Sequence, residues 1–67
     1  MFIITVNGDE KPVAEAISLE SYLHELGLNP GKVAVERNRE IVPKSTFADV
    51  SLAEGDQLEI VHFIGGG

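Results

Sequence analysis

Phe2-Ile3-Ile4-Thr5-Val6-Asn7-Gly8 follows Met1 and carries the reading of the fold. Phe2, Ile4 and Val6 alternate with Ile3 and Thr5, a β-branched run of period two that predicts a strand. Asn7-Gly8 comes directly after it. Both residue types accept positive φ, so the pair predicts a two-residue hairpin turn. The chain should then return antiparallel over Lys11 to Ala14. Pro12 has no N–H to give a ladder, which places that return strand at a sheet edge.

Working outward, Ser18 fits a helix N-cap, with Glu20 in the first turn where the helix dipole favours negative charge. Leu19, Tyr22, Leu23 and Leu26 fall at i, i+3, i+4 and i+7 and form one apolar stripe. Gly27 suits the C′ position, Leu28 can fold back onto the helix, and Pro30 prevents continuation. Val33-Ala34-Val35, a polar stretch through Asn38, and Ile41-Val42 predict a second hairpin ended by Pro43. Lys44 to Leu52 suits a short helical turn, and Glu54-Gly55-Asp56 a turn. Gln57 to Ile64 reads as the last strand. The order β-β-α-β-β-turn-β is satisfied by a mixed five-stranded sheet of the α+β class, its first and last strands parallel at the centre. One main helix then packs across one face. This is the β-grasp arrangement, predicted here as one domain over residues 1–64 with a flexible glycine tail over residues 65–67.

The 67 residues include 11 acidic and 5 basic side chains and carry a net charge of −6. Such a surface repels phosphate backbones and anionic lipid, which argues against nucleic acid or a membrane as partner. The longest apolar runs are too short to span a bilayer, and no basic and apolar leader follows Met1. With no cysteine there is no disulfide, thiolate metal site or cysteine nucleophile, in keeping with a reducing, cytoplasmic setting.

No catalytic constellation is visible. His24 and His62 are the two histidines and lack further ligands at metal-site spacing. The serines have no Gly-x-Ser-x-Gly context, and Ser18 is better explained as a cap. Gly65, Gly66 and Gly67 are different, because three glycines directly follow an apolar strand. They fit either a frayed end or a thin finger that threads into a partner's active site and presents the Gly67 carboxylate. In the last strand Leu58, Ile60, His62 and Ile64 point one way, and Glu59, Val61 and Phe63 the other. Val61 and Phe63 therefore lie opposite the helix. There they are either a docking patch or covered by the Lys44 to Leu52 segment.

MFIITVNG (1–8), VERNREIVP (35–43), Gly55-Asp56 and EIVHFIGGG (59–67) together resemble the bacterial thiamine-biosynthesis sulfur carrier proteins, which have the ubiquitin-like β-grasp fold and a C-terminal Gly-Gly. The resemblance runs the full length; Arg39, where glycine or lysine is common, lies in the hairpin tip. A Gly-Gly ending alone is shared with the small subunit of molybdopterin synthase and with ubiquitin-like modifiers; these, and a non-covalent binding module, stay as alternatives. The resemblance implies a protein co-substrate rather than an enzyme. An adenylyltransferase similar to ubiquitin-activating enzymes would use ATP and magnesium to adenylate Gly67. A cysteine desulfurase would supply sulfur for a Gly67 thiocarboxylate, and thiazole synthase would accept it. ATP and magnesium belong to the activating enzyme, so no cofactor of the chain's own is expected.

Overall fold

The computed structural model describes residues 1–63; the expectations for Ile64 as strand and for the 65–67 tail lie outside them. Five strands form one sheet: β1 (Phe2–Val6), β2 (Asp9–Val13), β3 (Val33–Arg37), β4 (Glu40–Ile41) and β5 (Gln57–His62). Helix α1 (Leu19–Glu25) and 3₁₀ turns at Pro30–Lys32 and Lys44–Thr46 complete the elements. The strand order is β2-β1-β5-β3-β4, with β1 and β5 parallel and the other pairs antiparallel. This is the β-grasp arrangement expected from the element order, with Pro12 on the edge strand β2.

Local chemistry accounts for the boundaries. Asn7 (φ 49°) and Gly8 (φ 87°) form the two-residue turn, so Asp9 already stands opposite Val6. Strand β2 therefore starts two residues before the expected Lys11. The Ser18 hydroxyl accepts from the Ser21 N–H at 3.1 Å. At the other end the Gly27 N–H bonds the His24 carbonyl at 3.0 Å and the Leu28 N–H bonds Leu23 at 2.9 Å, the paired pattern that closes a helix over a C′ glycine. Leu26 is the C-cap and 40% exposed, so the apolar stripe stops at Leu23 instead of reaching Leu26.

The core lies between α1 and one sheet face. Leu19, Tyr22 and Leu23 meet Ile4, Val6, Val33, Val35 and Leu58, each worth about 1.5–3 kcal/mol when fully buried. Phe47 and Leu52 close the open end of this layer. The segment that carries them also caps the helix: the Leu19 N–H bonds the Val50 carbonyl at 2.7 Å, and the Glu20 N–H bonds Phe47 at 3.0 Å. Two of the four donors a helix start leaves open are thus met by carbonyls 31 and 27 residues downstream.

A buried carboxylate fixes where β5 begins. Asp56, 5% exposed, accepts from the Ala53 N–H at 2.8 Å, Arg37 Nε at 3.0 Å and Asn38 Nδ2 at 3.1 Å. Asn38 in turn accepts from the Gln57 N–H at 2.9 Å. Burial pushes the Asp56 carboxyl up, but the Ala53 N–H, the Arg37 and Asn38 hydrogen bonds and the Arg37 charge outweigh it and hold it below the usual value.

Two predictions follow from these turns. Because the folded-state pKa of Asp56 is depressed, its contribution is complete above the unfolded value of about 3.9 and drains away as pH falls through the folded one. Asp56→Ala should cost about 2–3 kcal/mol near neutral pH, with a smaller gap to the parent in urea titrations in strong acid. A gap independent of pH would contradict an ionised Asp56. Arg39 sits at φ 72°, in a region that costs a non-glycine residue about 1–2 kcal/mol. Glycine recovers part of that against its greater unfolded-state freedom, so Arg39→Gly should raise stability by roughly 0.5–1 kcal/mol, read as a later urea midpoint at unchanged slope.

Candidate functional site

Strand β5 presents two different faces. Leu58 is buried and Ile60 half-buried toward the helix, while Glu59 and Val61 stand on the open face. The register with β3 sets Ala34 opposite Val61 and Glu36 opposite Glu59. Beyond β5 the Phe63 N–H continues the ladder to the Lys32 carbonyl at 2.9 Å.

Val61 is 61% exposed and Phe63 50%. The Lys44 to Leu52 segment does not cover them, because its carbonyls and apolar side chains are engaged at the start of α1 and in the core. Only Lys44 reaches over: its Nζ stands 4.6 Å from the centre of the Phe63 ring, a cation–π contact. Ile41, paired with Glu36 across β4, adds a third exposed apolar side chain to this face at 67%. Ile41 was legible only as a strand residue, since its face depends on a hairpin register the sequence leaves loose. The structure therefore brings Val61 and Phe63 onto one open face, next to residues 64–67 in sequence. The candidate residues Gly65, Gly66 and Gly67 lie outside the described residues.

The rest of the surface of the described residues offers little chemistry. A concavity of about 450 Å³ on the open face is lined by Thr5, Gly8, Glu36, Arg39, Gln57 and Glu59 among others. It pairs no nucleophile with a base. Ser18 is committed to its cap, and His24 and His62 stand exposed on separate elements. Among the described residues no group of three or more His, Cys, Asp or Glu side chains could hold a metal ion. No helix among them is long and apolar enough to cross a membrane.

The family model of the ThiS family matches residues 4–67. The chain belongs to the ThiS family. The sulfur carrier protein ThiS of Bacillus subtilis is 38% identical over 66 residues, which is 97% of this chain and 100% of that protein. The crystal structure of the thiamine biosynthesis protein ThiS of Geobacter metallireducens superposes with a TM-score of 0.84 at 32% identity, covering 98% of this chain and 100% of that one. A protein named thiazole synthase, from Paramagnetospirillum magneticum, is 53% identical over 64 residues, 96% of this chain. The chain spans only 20% of that protein's length, and 20% of a second thiazole synthase, from Magnetococcus marinus, at 48% identity. The ThiS likeness agrees with the resemblance read from the sequence and with the ubiquitin-like β-grasp fold.

Faces of one strand can be separated by substitution. Leu58→Ala removes a fully buried side chain and should cost about 2–5 kcal/mol. Phe63→Ala, half-exposed and outside the core, should stay within about 1 kcal/mol of the parent. Paired thermal melts check this; equal losses would place Phe63 in the folding core.

Proposed function

We propose that this chain is a sulfur carrier for thiazole formation in thiamine biosynthesis, a protein co-substrate rather than an enzyme. The observation that carries the reading is the end-to-end likeness to the Bacillus subtilis sulfur carrier, in a chain whose sequence ends Gly65-Gly66-Gly67. Because the chain has no cysteine, a sulfur cargo in this reading is carried on the Gly67 carboxylate.

In this reading the Gly67 carboxylate attacks the α-phosphorus of ATP in an activating adenylyltransferase, and pyrophosphate leaves. The acyl-adenylate carries a far better leaving group than a carboxylate oxygen. A persulfide sulfur of a cysteine desulfurase then displaces AMP at the Gly67 carbonyl. Cleavage of the resulting acyl disulfide by a thiol leaves the thiocarboxylate. The likeness to proteins named thiazole synthase supports that enzyme as the acceptor. ATP and magnesium are held by the activating enzyme, and the need for ATP favours a cytoplasmic setting. Gly65 and Gly66 would let the chain thread a channel too narrow for a Cβ. Val61 and Phe63 would dock the partner, and an aromatic anchor at the centre of such a contact typically contributes about 2 kcal/mol or more.

The test is an intact mass after incubation with an activating enzyme, Mg-ATP and a sulfide source. The parent should gain the increment of one oxygen replaced by sulfur. A chain ending at Gly65 should melt like the parent and accept no AMP, and Gly66→Val should fold but adenylate poorly. Phe63→Ala should need roughly thirtyfold more carrier for half-maximal adenylation, the factor that about 2 kcal/mol represents. Thiocarboxylate on the truncated chain would overturn the reading.

A further inference from the structure

The corner between β1 and β2 contains a contact that the hairpin does not require. Strand β1 stops at Val6 while β5 runs on to His62. Bonds from the Asn38 N–H to Gln57 and from the Phe63 N–H to Lys32 set the phase of the β3–β5 ladder. In that phase Ile60 turns its N–H and C=O away from β3, toward the edge where β1 has already ended. The Asn7 side chain fills the gap. Its Oδ1 accepts from the Ile60 N–H at 2.7 Å, and its Nδ2 donates to the Ile60 carbonyl at 3.2 Å.

A carboxamide offers one donor and one acceptor in a plane, as a peptide unit does. Asn7 therefore stands in for a strand residue that β1 lacks, while its backbone at φ 49° makes the turn. The two tasks are chemically separable. Glycine can make the turn but cannot bond Ile60; aspartate can make the turn and accept, but cannot donate.

From this geometry we infer that Asn7 is a positioning residue for the exposed end of β5, where Val61 and Phe63 would meet the activating enzyme. It clamps β5 at Ile60, one residue before Val61, and so sets the direction in which Val61 and Phe63 are offered to a partner. The inference rests on the carrier reading proposed above. Docking through Val61 and Phe63 needs that end of β5 ordered, and the clamp orders it in advance. Once Gly67 is bound, the reacting atoms are the same with or without the clamp. Loss of the clamp therefore raises KM for the carrier and leaves kcat alone.

Adenylation kinetics of the parent, Asn7→Gly and Asn7→Asp test this, together with urea stability and amide hydrogen exchange at Ile60. Asn7→Gly keeps a turn that glycine readily makes. It should raise KM about five- to thirtyfold, with kcat within about twofold and faster Ile60 exchange. Asn7→Asp retains the bond to the Ile60 N–H and should fall between the two; if Asn7→Gly does not fold, this variant alone decides, by a smaller rise in KM at unchanged kcat. Faster Ile60 exchange with unchanged KM would overturn the positioning role and leave Asn7 a purely structural residue. A fall in kcat at constant KM would overturn it as well. If the parent itself is not adenylated, the carrier reading fails, and this role falls with it.

Discussion

The fold hangs on the parallel pairing of its first and last strands. Register partners in that ladder are only Thr5 with Gln57 and Val6 with Leu58. Closing it brings together residues more than 50 positions apart, and the loop entropy must be recovered by what the pairing assembles. The recovery comes mainly from burial. With β1 and β5 adjacent, Ile4, Val6 and Leu58 form a continuous floor on which Leu19, Tyr22 and Leu23 can land. Neither hairpin alone offers the helix such a floor.

A short ladder also needs its ends secured, and polar side chains do this rather than more strand. At the start of β5, Asp56 gathers Ala53, Arg37 and Asn38, tying the preceding turn to the tip of the β3–β4 hairpin. Further along, the Asn7 carboxamide bonds Ile60 where β1 has run out. Both devices use one side chain to satisfy several backbone or charged groups, which an apolar residue of the same size could not do. Among the described residues no buried side-chain nitrogen or oxygen lacks a partner. That matters in a chain of this size, where one unmet group is a sizeable share of the total stability.

Much of this architecture was legible because the punctuation is local. Asn7-Gly8, Ser18, Gly27 and Pro43 each act through their own backbone or nearest neighbours, so strand, helix and turn could be placed from spacing. The central parallel pair followed from the element order. What could not be read depends on contacts between distant segments. Asp56 looks like any acidic turn residue until Arg37 and Asn38 are brought to it. Asn7 is fully explained by its turn, which hid its second task on Ile60. The Lys44 to Leu52 segment has weak periodicity because its work is to close the core with Phe47 and to cap a helix through backbone carbonyls, and carbonyls leave no trace in a sequence. Leu26 kept the helical spacing but met the end of the helix first. On the candidate site, alternation along β5 placed Val61 and Phe63 on the open face, whereas Ile41 required the β4 register.

The two ends of β5 are thus held by different means. Between Gln57 and Ile60 the strand is bonded on both edges and its helix-facing side chains are in or against the core. After Ile60 the β3 edge continues through Lys32, while the other edge has no β1 residue left to meet it. Side chains on the open face change character over the same few positions, from the charged Glu59 to the exposed Val61 and Phe63. Stability is therefore concentrated where the strand enters the sheet, and apolar surface is left uncovered where it leaves. A partner that covers Val61 and Phe63 takes nothing from the core, because no core contact runs through them. The fold can then hold the strand firmly while its exposed end stays outside the core.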